Sequence, residues 1–253
     1  MNVTKKVGSL MIVQKFGGIA MKDKKMRLNC INHIKDGLHE FGEIVIVVSA
    51  IGRYGDPYST DSLLQLTDAF LPATAASDLV ASCGELIAAA VLSAELEQAG
   101  VENTVLHGTR AGIMTTGVYG DGMISMIDTT SIRQNLKMTR CVIIPGFQGV
   151  AENGQTMTLG RGGSDLSAIA LAAALQASHV EFFKDVPGVM TDDPREAKNP
   201  IKLDSLKLEA FIPLLDCERP IIQKRAALHA MKTAIPLYIR GIAGTESGTW
   251  VLP

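Results

Sequence analysis

The chain has 253 residues, of which 47% are hydrophobic and 20% charged, and its formal net charge at pH 7 is −2. That length can bury one large core, or two lobes that share a core. The nearly balanced charge excludes partners that are selected by bulk charge alone. The sequence also lacks the basic stripe of nucleic-acid binders, so no nucleic-acid partner is expected.

The distribution of cysteines and of apolar residues predicts a soluble, cytoplasmic protein without a membrane partner. The cysteines are far apart and have no metal-ligand spacing, which indicates reduced thiols and no metal held by protein side chains. Residues 1–10 are too polar to form a signal peptide. Apolar runs such as 44–48 are far below the roughly 20 residues that a membrane span needs.

Short β-branched runs alternate with helical patterns, which predicts an α/β fold with a mainly parallel sheet. Strands are predicted at 11–13 and 44–48. Between them, apolar residues spaced by four predict an amphipathic helix over 24–41.

The remaining elements continue the alternation. A helix is predicted over 78–99, ended by Gly100, and a small-residue helix over 164–177. Strands are predicted at 101–106, 141–144 and 180–183, with a last long strand at 237–240. The glycine- and methionine-rich stretch 112–128 is a mobile loop or a hairpin. Without a repeat or a linker, residues 1–253 are predicted to form a single domain.

The first of three glycine-rich turns is Lys15-Phe16-Gly17-Gly18, directly after the first predicted strand. Adjacent glycines let backbone amides approach a phosphate, and Lys15 can supply positive charge to it. The sequence is not a Walker A loop. A plain tight turn is the alternative interpretation.

The second turn is Gly160-Arg161-Gly162-Gly163-Ser164-Asp165, immediately before the small-residue helix. Amides at a helix N-terminus attract anions, and an arginine can hold a carboxylate or phosphate in a fork. The alternative is that Ser164 or Asp165 simply caps the helix.

The third turn is Lys184-Asp185-Val186-Pro187-Gly188, followed by Thr191-Asp192-Asp193-Pro194-Arg195. An acidic residue at the strand end can hold Mg²⁺ or a ribose, and Arg195 could meet a phosphate, although Asp-Asp-Pro also favours a plain surface loop. The five dispersed histidines indicate no catalytic triad, and His33 and His39 are expected to be exposed helix residues.

Taken in order, these turns resemble the catalytic domain of the aspartokinases, which belong to the amino acid kinase family. The resemblance covers residues 12–252. Its most specific pieces are Lys15 to Gly18, Val47-Val48-Ser49-Ala50, the stretch 55–64, Ser82-Cys83-Gly84-Glu85, Gly146-Phe147-Gln148-Gly149, Gly160 to Asp165, the stretch 185–191, Asp193-Pro194-Arg195 and Gly248-Thr249.

The resemblance implies a three-layer sandwich of the carbamate kinase-like type, with an amino-acid lobe in the N-terminal half and an ATP lobe in the C-terminal half. It implies phosphorylation of the side-chain carboxylate of aspartate, a step of amino-acid biosynthesis, with ATP and Mg²⁺. The expected partner is a small-molecule substrate, and the expected assembly is a homo-oligomer, most simply a dimer.

The same resemblance assigns residues. Lys15 would neutralise the transferred phosphoryl group, and Asp165 would orient lysines or the substrate amine, which makes these two the catalytic pair. The residues that match the nucleotide segments are Lys15, Phe16, Gly17, Gly18, Lys184, Asp185, Met190, Thr191, Asp192, Asp193, Pro194 and Arg195. Those that match the substrate site are Ser49, Thr60, Glu85, Arg161, Gly162, Gly163 and Ser164. Arg161 suits a carboxylate, and Glu85 suits an ammonium.

The sequence departs from the aspartokinase pattern near the predicted nucleotide site. Ile19-Ala20 replaces the usual Thr-Ser, Lys184 stands where Thr is usual, and Met190 stands where Tyr is common. Pro220 falls where the family has the lysine of a Gly-Ala-Lys segment. The replacement cation would be Lys184, Lys224 or Arg225. The sequence ends at Pro253, so the regulatory ACT domains that follow many aspartokinase domains are not expected.

Three functions are compatible with this pattern. The first is an aspartate kinase, and the second is a kinase for another aspartate-like acid or amine of specialised metabolism. The third is a degenerate kinase that binds aspartate or nucleotide as a partner or sensor protein. Retention of Lys15, Glu85, Arg161 and Asp165 favours the first two, and the changes at Ile19, Ala20 and Pro220 favour the third.

Overall fold

A computed structural model describes residues 11–67, 73–191, 200–244 and 246–253. Its helices are α1 (Gly18–Met21), α2 (Lys24–Phe41), α3 (Thr60–Leu64), α4 (Ala75–Gln98), α5 (Thr130–Thr139), α6 (Gly163–Leu175), α7 (Leu208–Leu214) and α8 (Lys224–Thr233). Its strands are β1 (Met11–Phe16), β2 (Glu43–Val48), β3 (Thr104–Val105), β4 (Ile113–Val118), β5 (Asp121–Ile127), β6 (Cys141–Pro145), β7 (Gln148–Ala151), β8 (Thr156–Thr158), β9 (Val180–Lys184), β10 (Ser205–Lys207), β11 (Leu237–Gly241) and β12 (Thr249–Leu252).

The main sheet has eight strands in the order β10-β12-β11-β9-β1-β2-β6-β3. The strands from β11 to β3 in this order are parallel, and β12 runs antiparallel to β11. The mainly parallel sheet is therefore confirmed. Strand β1 lies in the middle, with Lys15 opposite Val47 of β2 on one side and Phe182 of β9 on the other.

Helices cover both faces of the sheet, which confirms the three layers. On one face, α2 and α4 pack Ile34 and Leu92 against β1, β2 and β6. On the other face, helices α5 to α8 pack against the opposite side chains of the same strands, with Ile169 of α6 among them. Strands buried on both faces read as continuous apolar runs, which is why 44–48 shows no alternation.

A smaller sheet, in the order β5-β4-β7-β8, stands beside the main one. Its first two strands are an antiparallel hairpin made from the stretch 112–128. Of the two predicted alternatives for that stretch, the hairpin is the one observed. Gly112, with φ of +75°, lies at the base of the hairpin, where a side chain would collide with the Asp128 carbonyl group.

Several sequence predictions need correction. The predicted strand 101–106 shrinks to β3, because Asn103 folds back to accept a hydrogen bond from Ser93 of α4. The strand at 237–240 is followed by one more, β12. His33 is half-buried rather than exposed, since its Nε2 hydrogen-bonds to the Ile242 carbonyl oxygen and its ring packs on Phe183.

One helix among the described residues, α4, is long and apolar enough to cross a membrane when judged by length and composition alone. The uninterrupted apolar runs of this helix are nevertheless short, because Asp78 and Glu85 interrupt them, so the expectation about apolar runs is not contradicted. Its inner face is packed into the core beside the sheet, and it carries the buried side chains of Asp78 and Glu85. A buried core helix passes the same test, so the length of α4 is weak evidence for a membrane span.

Candidate active site

The predicted site residues gather where the central parallel strands end. Strands β1, β2, β6 and β9 all point the same way, and each of the three glycine-rich turns lies at or near this edge of the sheet. Crevices at the carboxyl ends of parallel strands are where open α/β sheets bind ligands. The topology therefore brings together segments that are more than 160 residues apart in sequence.

A buried cluster of three charged side chains lies at the centre of this edge. The Lys15 Nζ is 2.5 Å from Asp165 Oδ1, and the Lys184 Nζ is 3.5 Å from Asp165 Oδ2. The three side chains are only 6%, 8% and 16% exposed, in the order Lys15, Asp165 and Lys184. Asp165 comes from the first turn of α6, so one helix start carries the carboxylate that contacts both lysines.

Burial and mutual charge shift the pKa values in this cluster. Burial acts to raise the pKa of the Asp165 carboxyl group, but the Lys15 and Lys184 ammonium groups outweigh it and hold that pKa below its ordinary value. Burial lowers the pKa of Lys184 to about 8, with Asp165 opposing the shift and Lys15 adding to it. Asp165 is therefore ionised at neutral pH, and Lys184 is a cation that loses its proton unusually easily.

The Gly17-Gly18 turn is closed tightly beside this cluster. A Cβ atom at Gly18 would collide with the Gly52 and Ala50 carbonyl oxygens, and one at Gly17 would lie 3.5 Å from the Lys15 Nζ. The Phe16 side chain points into the core and stacks on Phe183, with ring centroids 4.6 Å apart. Only the backbone of Phe16 is therefore available to a ligand.

A cleft of about 470 Å³ opens on the α4 side of the cluster, and all seven predicted substrate residues line it. They are Ser49, Thr60, Glu85, Arg161, Gly162, Gly163 and Ser164. Ser49 and Ser164 share a hydrogen bond of 2.7 Å across its floor, joining the end of β2 to the start of α6. Of the three turns, only the one at 160–165 lines this cleft, and the functional roles of these residues stay predictions.

Glu85 presents a buried carboxylate to this cleft. Its Oε1 accepts a hydrogen bond of 3.0 Å from the Ala50 backbone N–H. Its Oε2 is buried and has no hydrogen-bond partner among the described residues. Burial raises the pKa of Glu85 to about 8, against a smaller lowering by the Ala50 amide. A buried acceptor without a donor is costly, and an ammonium group of a ligand would satisfy it.

Arg161 also lines this cleft, in a loop whose backbone requires glycine on both sides of it. Gly160 and Gly162 both have positive φ, and a Cβ on either would collide with neighbouring side chains or backbone. The exposed Arg161 guanidinium makes no ion pair or hydrogen bond with the part of the chain that the structure describes. Its five donors are thus available to an anion in the cleft.

Two residues of the cleft were missed by sequence reasoning. Asp78 is buried in α4, and its Oδ2 accepts hydrogen bonds from the Gly120 N–H at 3.1 Å and the Thr158 N–H at 2.6 Å. Its position two helical turns before Glu85, on the same face, is the signal that would have found it. Phe147 has a left-handed backbone, with φ of +70°, which costs energy in a non-glycine residue and is typical of functional sites.

The predicted nucleotide residues are less completely gathered. Lys184 and Asp185 line a second cleft, of about 440 Å³, together with Ile19, Ile242 and Glu246. Met190 and Thr191 line neither cleft and instead bridge to the segment 201–202. The predicted residues Asp192, Asp193, Pro194 and Arg195 lie outside the described part of the chain.

The model of the amino acid kinase family matches residues 11–241. Aspartokinase 1 of Bacillus subtilis is 40% identical over 242 residues, which are 95% of this chain and 60% of that protein. The crystal structure of aspartate kinase from Synechocystis superposes with a TM-score of 0.80 at 31% identity, covering 95% of this chain and 40% of that one.

A further structural neighbour is E. coli aspartokinase III in complex with aspartate and ADP, with a TM-score of 0.77 and 22% identity over 96% of this chain and 64% of that one. At that identity it shows the fold alone. The class defined by the fold and the site is a three-layer α/β domain with its clefts over the carboxyl ends of a parallel sheet. Within that class, the chain belongs to the amino acid kinase family. It spans less than two thirds of the length of the relatives named here.

Proposed function

We propose that this chain is an ATP-dependent kinase that phosphorylates the side-chain carboxylate of aspartate, or of a close analogue, to an acyl phosphate. The observation that carries the proposal is the pairing of charges in the larger cleft. The Oε2 atom of the buried Glu85 carboxyl group has no hydrogen-bond partner among the described residues, and the Arg161 guanidinium lines the same cleft. The identity to aspartokinases of about 30–40% supports the same substrate class.

The substrate fits the cleft by charge. An amino acid brings an ammonium group for Glu85 and a carboxylate for Arg161, and a second carboxylate is the acceptor of the phosphoryl group. A neutral small molecule would leave the Glu85 Oε2 without its donor, which is costly in a buried site. The cleft volume of about 470 Å³ is at the scale of small-molecule sites.

The reaction needs charge neutralisation and positioning rather than a strong base. An acceptor carboxylate oxygen attacks the γ-phosphorus, the bond from that phosphorus to the bridging oxygen breaks, and its electron pair leaves with ADP. No proton has to move. Lys15 contributes a buried ammonium beside the Gly17-Gly18 turn, and Asp165 holds that ammonium in place.

Mg²⁺ is part of this proposal as a charge on the nucleotide phosphates. Within residues 11–67, 73–191, 200–244 and 246–253, no group of three or more His, Cys, Asp or Glu side chains converges to hold a metal ion. The donor set of the described residues therefore fits an ion that arrives with the nucleotide, and does not fit one that these residues bind alone. In the same proposal the protein is soluble, acts in the cytoplasm and assembles as a homodimer.

The proposal is tested by ADP release from Mg-ATP with a panel of amino acids, run together with trapping of the product by hydroxylamine. An acyl phosphate gives a hydroxamate, whereas a phosphate ester or plain ATP hydrolysis does not. We expect ADP and hydroxamate in equal amounts with aspartate and little of either with glutamate or alanine. Release of ADP without hydroxamate would point to another acceptor class. Binding of aspartate without any ADP release would favour a degenerate, ligand-binding relative.

A further inference from the structure

The charges of the buried cluster do not balance. Lys15 and Lys184 bring two ammonium groups to the single carboxylate of Asp165, which leaves one positive charge in excess. The exposures of the two lysine side chains, 6% and 16%, leave little room for water to stabilise that excess. A buried charge without a counter-charge is unfavourable, and an anion bound at this point would remove the imbalance.

The two ammonium groups also contact the same carboxylate, that of Asp165. They contact different oxygens of the same carboxylate, so they lie side by side at the edge of the sheet. Lys15 adjoins the Gly17-Gly18 turn, whereas Lys184 lines the smaller cleft. Asp165 thus holds the two lysines together where the neighbouring strands β1 and β9 end.

The other cations that could take the same role are held elsewhere. The Lys224 Nζ is 2.6 Å from both carboxylate oxygens of Asp216 at the protein surface. The Arg225 guanidinium hydrogen-bonds to Asp121 on the β4–β5 hairpin. Neither residue lines the smaller cleft or contacts Asp165.

We propose that Lys184 is a second catalytic residue, whose ammonium binds the transferred phosphoryl group beside Lys15 while Asp165 holds both lysines. This inference rests on the proposed kinase function. The two lysines would share the negative charge on the phosphoryl oxygens as the bond to ADP breaks. Asp165 acts through the two lysines, which its carboxylate holds in place.

The kinetic test compares Lys184→Met with Lys184→Arg and with Lys232→Met, an exposed lysine at the far end of α8. Loss of one charge-stabilising group lowers kcat by about 10²–10³, and a transition-state contact affects kcat more than KM. We expect that loss in Lys184→Met, partial recovery in Lys184→Arg, and wild-type kcat in Lys232→Met. A folded Lys184→Met protein with wild-type kcat would overturn the proposal.

A binding measurement separates this inference from the proposed function. At a pH just above 8, part of Lys184 is neutral, and a bound polyanion would raise its pKa again. The titratable groups around Lys184 are Lys15 on β1, Asp165 on α6, the adjacent Asp185, and Glu246, which lines the same cleft. The Asp185 carboxylate is itself 3.4 Å from the Arg53 guanidinium. We expect Mg-ATP binding to take up protons, and the uptake to fall sharply in Lys184→Met but not in Lys232→Met.

Proton uptake is measured by calorimetry in two buffers of different ionisation enthalpy. If the wild type binds Mg-ATP with this uptake yet releases no ADP with any amino acid, the kinase function fails while the contact between Lys184 and the phosphates stands. If uptake is equal in wild type and Lys184→Met, Lys184 does not bind the nucleotide phosphates, and the inference is wrong whatever the turnover.

Discussion

Glu85 and Lys184 are displaced from their usual charge states in opposite directions. Burial raises the pKa of the Glu85 carboxyl group to about 8 and lowers that of the Lys184 ammonium to about 8. Each group in the ligand-free protein thus favours its neutral form more than it would in water. A ligand that brings an ammonium to Glu85 and phosphate to Lys184 restores both charges, which is the charge pattern of an amino acid next to a nucleotide.

The first prediction concerns protons released at Glu85. With its pKa at about 8, Glu85 is mostly protonated at pH 7, and an ammonium bound to its Oε2 should drive that proton off. We expect aspartate binding at pH 7 to release protons, and Glu85→Gln to release far fewer and to bind more weakly. Calorimetry in paired buffers measures both quantities. Equal release in the two proteins would show that Glu85 does not meet the substrate amine.

The same shift affects stability. Between the unfolded pKa of 4.5 and the folded pKa of about 8, the folded protein holds more protons at Glu85 than the unfolded chain does. The contribution of Glu85 to the free energy of unfolding therefore falls as pH rises through that window. Glu85→Gln removes this pH dependence. As pH rises from 4.5 to about 8, the unfolding free energy of the wild type should therefore fall relative to that of Glu85→Gln.

The second prediction concerns Arg161. A guanidinium fork to a carboxylate shielded from water is worth about 2–3 kcal/mol, so Arg161→Ala should weaken aspartate binding by tens of fold or more. Nucleotide binding should be unaffected, since Arg161 lines only the larger cleft. Calorimetry with aspartate and with nucleotide measures the two affinities. The matched control is Arg110→Ala, which changes an exposed arginine outside both clefts. Unchanged aspartate affinity in Arg161→Ala would remove the assignment.

The third prediction concerns Lys15. Its ammonium is buried beside the glycine turn, so Lys15 is not a solvent-exposed lysine at the end of a strand. Lys15→Met keeps the apolar stem, so the fold should persist while kcat falls by about 10²–10³ and KM changes less. Steady-state kinetics and a melting curve are the two measurements. Ordinary melting together with wild-type turnover would contradict the role.

At the scale of elements, α4 and the β4–β5 hairpin form the outer wall of the larger cleft. The Asp78 carboxylate of α4 accepts from the Gly120 N–H at the hairpin tip and from the Thr158 N–H of β8. Arg225 of α8 holds the other side of the tip through Asp121. One buried carboxylate and one surface ion pair therefore hold this wall in place. The buried contact contributes more to stability than the exposed ion pair.

The fourth prediction tests that buried contact. Asp78→Asn replaces a charged acceptor of two backbone N–H groups by a neutral one, and hydrogen bonds to charged groups contribute about 1.5–3 kcal/mol. We expect a loss of stability of about that size in urea unfolding, with a higher KM for aspartate and a nearly unchanged kcat. Glu97→Gln, exposed on the same helix, is the control. If kcat collapsed while KM and stability stayed constant, Asp78 would be acting on the chemistry rather than on the wall.

At the scale of the whole molecule, the sequence predicted the parts that depend on local pattern. Helix α2 begins and ends at the predicted residues, because its apolar residues recur every four positions and Asp23 caps its start. The seven predicted substrate residues were placed together by their match to the aspartokinase motifs, and they line one cleft in the folded chain. That prediction rested on the resemblance and needed no knowledge of the packing.

What the sequence did not reveal depends on three-dimensional contacts. The capture of the Gly120 and Thr158 amides by Asp78 joins residues 42 and 80 positions apart. Among the three candidate cations, we chose Lys184 because it contacts Asp165. The ion pair of Lys224 with Asp216 is visible only in the folded structure. Half-burial of His33 results from Ile242, which lies 209 positions away.

The single domain proposed from the sequence has a physical counterpart in the core. Strand β1 pairs with β2 of the N-terminal half and with β9 of the C-terminal half, and α6 packs across all three. One apolar cluster contains residues from both halves, including Val45, Ile113, Phe211 and Val251. Unfolding one half would expose the core of the other, so we infer that the two halves unfold together.

The fifth prediction tests this cooperativity with the only tryptophan of the chain. Trp250 lies on β12, the second strand from one edge of the main sheet. Its ring packs beside Tyr238, with ring centroids 4.6 Å apart. Aspartate should bind the larger cleft, formed mostly by the N-terminal half, and 100-fold excess over Kd stabilises the folded state by about 2.7 kcal/mol. Because the core is shared, we expect Trp250 fluorescence and far-ultraviolet circular dichroism to show one urea transition, which aspartate shifts equally in both signals. Arg161→Ala should reduce this stabilisation at the same aspartate concentration to about a third or less, because its weaker binding leaves aspartate only a few fold above Kd. If aspartate shifted the urea midpoint of the circular dichroism signal but not that of Trp250 fluorescence, the two halves would unfold as separate units.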